Sequence, residues 1–467
     1  MTDARRADDS AKVSARGPES PSAPTRRARL PRQAWMILAL GLAIREALCF
    51  WTGQPYDLES WIRTGHAVAS GYNPYSQFWP AVPGVSFAYL DTLVAPAAYL
   101  PFWSGLLGLI YQFWEVVGGG DRFVLYGLIK QPGIWADLGS AYLIYRLVER
   151  WSGDRVAALT ALSFWCLFPY AIAITAVWGQ FDSIVVLVLL ALLYARGPLE
   201  RNLLDGVGIL IKWLTVIFLP FEFFRERGIR RFAIALALIV PLAITLAIFA
   251  AEGWALTQLL PTSTSQSQGG GLGMNLTYLF TLAPVHGVLG GVPYLYTVLA
   301  LAWVPAVIAG GWVAARWVQG RAPGQELRAL LLIVTLLLLL RWGLYEQYML
   351  YLFAPLVVDV FVFHPGRRSL FYVTVVLAGL DLLVNNDLGL RFLSPLDPSI
   401  LAFTTSVDAS VGWGTARTYV LLVLAILVTV TLVQWVRAFL RDERAPHPWL
   451  LPRGESTPTA PAQEPVG

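Results

Sequence analysis

Three short polar stretches interrupt an otherwise apolar chain, and each carries a carboxylate. QPYDLESW, residues 54–61, holds Asp57 and Glu59. WGQFDS, residues 178–183, holds Gln180 and Asp182. RWGLYEQYMLY, residues 341–351, holds Arg341 and Glu346. Asp182 beside Gln180 suits the orienting of a sugar or of a pyrophosphate-linked water. Arg341, ending a run of leucines, suits the holding of a phosphate. Each has a plainer local role as well. Asp57 and Asp182 both sit where helices begin, so either suits an N-cap. Arg341 and Glu346 suit a snorkelling pair at a membrane boundary.

Further charges lie inside apolar runs: Arg45 and Glu46, Lys130 and Asp137, and Lys212. Lys130 and Asp137 are seven apart and share a helix face, which suits a structural ion pair. Lys212 has no obvious local partner, so its ammonium would snorkel or meet a lipid phosphate. Other chemistries find little support. The two cysteines, Cys49 and Cys166, sit in apolar runs without a CxxC. The four histidines, His66, His286, His364 and His447, are scattered, and no zinc-type cluster appears. No Ser/His/Asp or Cys/His arrangement stands out.

Elements that position these residues must be membrane helices. Of 467 residues, 56% are hydrophobic, 13% aromatic and 14% charged. A soluble domain carries roughly a quarter charged residues. Mean hydropathy is +0.58. This excludes a soluble enzyme and a disordered scaffold, and fits an all-α polytopic membrane protein. The net charge of +4 is too small to suggest a nucleic-acid partner.

Residues 1–32 are polar, Pro/Ser/Ala-rich and basic, which predicts a disordered cytoplasmic tail. Residues 33–440 form the transmembrane domain, and 441–467 a second, Pro-rich cytoplasmic tail. Apolar segments recur through the domain in numbers that predict about 10 to 13 crossings. Arginines at 225–231, 316–328, 367–368 and 437–444 mark cytoplasmic loops, so the loops between them face outside. Parity then requires segment 85–117 to make no full crossing or two short ones. It also requires an odd number of crossings from 184–224, with one of its two segments re-entrant. No sequence repeat is found.

The loop after the first span begins at the membrane exit with Asp57. Leu58, Trp61, Ile62, Gly65 and Ala69 recur at helical spacing, which predicts an amphipathic helix lying in the outer interface. Gly71, Asn73 and Pro74 end it.

Taken in order, five motifs resemble the GT-C superfamily of integral-membrane glycosyltransferases that use polyprenyl-phosphate sugars. They are Asp57 with GYNPY (71–75), LIKQPGIWADLGSAYLIYRL (128–147), FPYAIAITAVWGQFDSI (168–184), GVGILIKWLTVIFLP (206–220) and YEQYMLYLFAP (345–355). The likeness is nearest to mannosyltransferases of the PIG-M type and of the bacterial or archaeal polyprenyl-phosphomannose-dependent type. Where many relatives carry Tyr-Pro-Pro after the first loop, this chain reads SFAYLD, residues 86–91. The resemblance implies a GT-C-like bundle in the cell membrane. It implies Asp57 as catalytic base, with Asp182 shaping the acceptor side and Glu346 at the acidic position after the late helix. Glu59, Gln180 and Asp91 are further candidates around the acceptor, and Arg341 and Lys212 are candidates for the donor phosphate.

The implied reaction moves a hexose, mannose by the nearest likeness, from a polyprenyl-phosphate carrier to a lipid- or glycan-linked hydroxyl. Its one-step displacement inverts the anomeric centre. Such a reaction needs a base for the acceptor hydroxyl and a cation for the leaving phosphate. No cofactor and no obligatory metal are expected, although some relatives with paired acidic residues use a divalent cation. Three other readings are compatible with the chain. A polyprenyl-lipid transporter or flippase predicts repeats and a charged path, and neither is visible. An envelope glycan polymerase or ligase would use a late outer loop, here 386–416, with Asn385, Asn386, Asp387, Arg391, Asp397 and Asp408 in or beside it. A structural subunit would tolerate exchange of Asp57, Asp182 and Glu346.

Overall fold

The structure is a computed structural model that describes residues 30–76, 79–86, 99–195, 197–258, 273–282, 285, 298–299, 301–318 and 323–441. The greater part of both tails, Asp91, His286 and His447 lie outside the described residues. The regular elements among the described residues are all helices, as expected of an all-α polytopic membrane protein.

The first half of the chain is punctuated by residues that start and stop helices. Helix α1 (Arg32–Cys49) leads to α2 (Pro55–Ala69), with proline at its first position and Gly71 in a left-handed turn, φ +77°, just beyond its end. Helix α3 (Pro101–Gly118) follows, then the 31-residue α4 (Arg122–Ser152), capped by Asp121, which accepts the Phe123 N–H at 2.8 Å. Asp154 caps α5 (Arg155–Cys166). Pro169 then opens α6 (Pro169–Ile172), which continues as a π-helix, Ala173–Trp178, bent 41° from α5.

Helices α7 (Asp182–Tyr194) and α8 (Pro198–Ile211) form a short antiparallel hairpin. A 3₁₀ segment, Trp213–Phe218, runs on into α9 (Leu219–Arg225). Then come α10 (Ile234–Ala251), α11 (Trp303–Trp317) and α12 (Pro323–Leu340). A 3₁₀ turn, Glu346–Met349, opens α13 (Leu350–Val358), which ends in a π turn, Asp359–Phe363. Helices α14 (Arg368–Asn385), α15 (Pro398–Asp408) and α16 (Val411–Arg441) complete the chain.

Four described segments are long and apolar enough to cross a membrane: Ile234–Ala251, Glu346–Phe363, Pro365–Asn385 and Val411–Arg441. The bent pair α5–α6 makes a fifth if taken as one span. Among the described residues, any further crossings toward the expected 10 to 13 fall to shorter, broken or charged helices. The span Glu346–Phe363 is 89% buried and forms the centre of the main core, packed on α4, α5, α7 and α12.

The polar side chains gather at the two ends of this core. Arg201 lies near the start of α8, and Lys212 follows its last residue, roughly 16 Å along the axis. Glu326 and Arg341 bracket α12 in the same way, roughly 22 Å apart. At one end Arg201 pairs with Glu222 and Glu326, Arg367 with Asp359, and Arg328 donates to the Phe439 carbonyl at 2.6 Å. At the other end stand Asp182, Lys212, Arg341, Glu346 and Arg417. Arg225, Arg316, Arg328 and Arg367 thus collect at one end of the bundle.

Segment 184–224 passes between these ends three times, by α7, α8 and the 213–225 segment. The third pass follows because the 3₁₀ segment at Trp213–Phe218 lets the chain continue toward Arg225. The predicted amphipathic helix is α2, but its apolar face is covered by protein. Leu58, Trp61 and Ile62 are buried in a second, smaller core with Trp103 and Leu107 of α3 and the first turns of α4. Gly65 permits this approach, since a Cβ there would stand 2.9 Å from the Leu107 carbonyl oxygen.

The charges inside apolar runs find partners, but not those that spacing suggested. Asp137 accepts from Arg45 Nε at 2.8 Å, Arg45 Nη2 at 2.6 Å and Trp165 Nε1 at 2.8 Å. Lys130 instead donates to main-chain carbonyls. Sequence spacing sees only one helix face, whereas α1 and the π-helix bring stronger partners from outside it.

Candidate active site

Asp57 stands in the first turn of α2. Gln54 supplies the cap, its Oε1 accepting the Asp57 N–H at 2.9 Å. The Asp57 carboxylate is therefore released from the capping role that the sequence left open. Its Oδ2 accepts from Trp178 Nε1 and from Gln180 Nε2, each at 2.6 Å. Its Oδ1 has no partner among the described residues. Two of the polar stretches, 121 residues apart at Asp57 and Trp178, thus meet at one carboxylate oxygen.

The backbone makes this meeting possible. Gly179 turns the chain out of the π-helix at φ +97°, a conformation that favours glycine. The Gln54 N–H donates to the Trp178 carbonyl at 3.1 Å, tying the two loops directly. Beneath them the Lys130 ammonium donates to Cys49 O at 2.8 Å, to Ala176 O at 3.0 Å and to Thr52 O. One buried cation thus ties the end of α1 to the end of the π-helix, and with them the Asp57 and Trp178–Gln180 loops.

Burial raises the Asp57 carboxyl above its ordinary range, opposed by the Trp178 and Gln180 N–H donors and the Lys212 charge, while Asp182 adds to the rise. A carboxylate raised in this way takes a proton more readily than an exposed aspartate.

Asp182 is the first residue of α7 and is fully buried. It caps nothing. Its Oδ1 accepts from Lys212 Nζ at 2.8 Å and from the Tyr351 hydroxyl. Lys212, expected without a local partner, is thus ion-paired across the α7–α8 hairpin. The Phe181 and Tyr348 rings lie 5.1 and 4.7 Å from its ammonium. The Oδ2 of Asp182 is buried and unpartnered.

Arg341 follows α12, with its guanidinium 4.2 Å above the Tyr348 ring. Its Nη1 is buried without a hydrogen-bond partner. Asp57, Glu346 and Arg341 all act on the neighbouring Tyr345 phenol, whose pKa is pushed up to about 12, by burial first. The base, the guanidinium and the late carboxylate therefore share one region. Glu346 is buried, with Oε1 accepting from Asn385 Nδ2 at 2.6 Å and Oε2 unpartnered. Arg417 donates in turn to Asn385 Oδ1 at 3.0 Å.

Glu59 is directed elsewhere: it is buried and accepts from Arg63 Nε one turn on. Two residues along a helix point to different faces, so Asp57 and Glu59 do not form a pair. Among the described residues no group of three or more His, Cys, Asp and Glu side chains is placed to hold a metal ion. In the late loop at 386–416, Asp397 caps α15, and Arg391 bridges Asp387 and Asp408 at 2.7 and 2.5 Å.

Sequence reasoning singled out Asp57, Gln180, Asp182, Lys212, Arg341 and Glu346, and the fold brings all six to one end of the bundle. It did not single out Trp178, Tyr348, Tyr351 or Arg417. Trp178 sits in the same short motif as Gln180, and Tyr348 and Tyr351, three residues apart, follow Glu346 in one motif, which was the available signal. Arg417 carried none.

A model of glycosyltransferase family 87 matches residues 132–341. The matched stretch includes Gln180, Asp182, Lys212 and Arg341; Asp57 and Glu346 lie outside it. The match supports a membrane glycosyltransferase, which acts with a sugar donor, an acceptor and membrane lipids. No curated protein sequence matches the chain.

Proposed function

We propose that this protein moves a hexose from a polyprenyl-phosphate carrier to a lipid- or glycan-linked hydroxyl at the outer face of the cell membrane, with both termini cytoplasmic. Mannose is the sugar put forward. The observation that carries the reading is the Asp57 carboxylate, with one oxygen held by two N–H donors and the other open, in the same cluster as the unpartnered Arg341 Nη1. An oriented carboxylate takes the acceptor proton as the hydroxyl attacks the anomeric carbon. A guanidinium beside the leaving phosphate stabilises its developing charge. The attack and the departure occur on opposite faces of the sugar, so the product is inverted. Asp182, Lys212 and Tyr351 stand beside base and cation, with Gln180 and Glu346 offering acceptor atoms to the sugar hydroxyls. No covalent nucleophile and no obligatory metal enter this scheme.

The test is transfer of label from polyprenyl-phosphate mannose into a crude acceptor-lipid extract, by protein in lipid. Wild type is expected to discharge the donor and Asp57→Asn, equally folded, to fail. Equal activity of the two would remove Asp57 as the base. No turnover with mannose or glucose donors, together with transport of the lipid across the bilayer, would replace the transferase by a flippase.

A further inference from the structure

At the opposite end of the bundle, a cavity of about 680 Å³ opens between α9, the 226–231 turn and the end of α11. Among the described residues its walls carry four arginines, Arg225, Arg227, Arg231 and Arg316, and no acidic residue. Arg225 is neutralised by Glu222 at 2.5 Å and Glu226 at 3.1 Å. The other three make no ion pair among the described residues. Arg316 is held flat on the Trp312 ring at 3.5 Å, and Arg231 is fixed by donating from Nε to the Glu226 carbonyl at 2.6 Å. Two oriented guanidiniums and a third, that of Arg227, lining one cavity without a counter-charge among the described residues form a site for a phosphate-type anion.

What flanks the cavity says which anion. Ile229 is 84% and Phe232 75% exposed, and both alternate with the arginines on the same short turn. Phe223 and Trp312 are also exposed beside it. The adjoining α10 is apolar along its whole length and largely unburied. A soluble phosphate makes no use of such a rim, whereas a phospholipid sets its headgroup among the arginines and its chains along the apolar surface.

We propose that this cavity binds the phosphate headgroup of an anionic phospholipid at the cytoplasmic face. The site is independent of the transferase chemistry, which lies a helix length away. It would anchor the α9–α10 turn, and with it the end of the segment that begins at Lys212.

The test is native mass spectrometry of the full chain in detergent, with phosphatidylglycerol, phosphatidylcholine or inorganic phosphate added separately. Phosphatidylglycerol is expected to bind, and to do so more weakly as salt rises. The triple variant Arg227→Gln, Arg231→Gln, Arg316→Gln is expected to lose affinity on the order of a hundredfold, about fivefold per arginine. Arg316→Gln alone, whose one described contact is the Trp312 ring, is expected to lose about fivefold. Unchanged phosphatidylglycerol binding in either variant would overturn the proposal. Equal binding of phosphatidylcholine, or binding of inorganic phosphate as tight as that of the lipid, would overturn it too.

Discussion

The Trp178 indole nitrogen stands 2.6 Å from the Asp57 carboxylate and donates to the same oxygen as the Gln180 amide. Both donors favour the ionised form, against the burial that disfavours it. Asp57 is therefore held between two opposing influences, and either can be moved by a single substitution.

Replacing Trp178 with Phe removes one donor and little volume. The Asp57 pKa, already raised by burial, is expected to rise further. A base must be ionised, so the rate falls as pH drops through its pKa. The acidic limb of the rate profile of Trp178→Phe is expected to lie at higher pH than that of wild type. Gln180→Leu should move it the same way. A profile unmoved by both variants would separate the pH dependence from Asp57.

Asp57→Asn keeps an acceptor oxygen for both donors but cannot take a proton. Turnover is expected to fall about 10²–10⁴-fold. The melting temperature should hold or rise, since a neutral group replaces one whose ionisation burial disfavours. A large loss of stability would mean that the carboxylate is structural.

Arg341 has a buried, unpartnered Nη1 and a stacked guanidinium plane. Arg341→Lys retains charge but loses the planar fork and the stacking geometry. The Michaelis constant for the lipid-phosphate donor is expected to rise about tenfold or more, as for loss of a charge-assisted bond worth roughly 1.5–3 kcal/mol. The acceptor constant should move little. Donor titration at saturating acceptor checks this.

Much of this site was readable beforehand. The carboxylates and the two cations stand out because an apolar chain keeps charge only where something holds it. The five motifs in order pointed to the fold class. The pairings were not readable. Lys130 and Asp137 share a helix face, yet Arg45 claims Asp137 and main-chain carbonyls at the end of α1 and of the π-helix claim Lys130. Asp182 and Lys212 are thirty residues apart with no periodic relation, and they meet because α7 and α8 are a hairpin of nearly equal arms. Helix α2 was legible as amphipathic, but periodicity cannot tell whether protein or lipid covers the apolar face. The three passes of 184–224 were hidden because a 3₁₀ turn at Trp213 divides what reads as one apolar run.

The Lys212–Asp182 pair is 2.8 Å long and both groups are almost wholly buried. Removing one charge leaves the other without its counter-ion in the interior, which costs about 3–5 kcal/mol. Lys212→Met and Asp182→Asn are each expected to lower the melting temperature and the folded yield. The double variant leaves no uncompensated charge, so its stability should recover much of the loss. Activity follows a different course. If the pair orients the wall beside Asp57, the folded double variant remains impaired in turnover. Thermal unfolding and transfer assays on the three variants separate the two effects. A double variant less stable than either single one would show that the pair is not coupled.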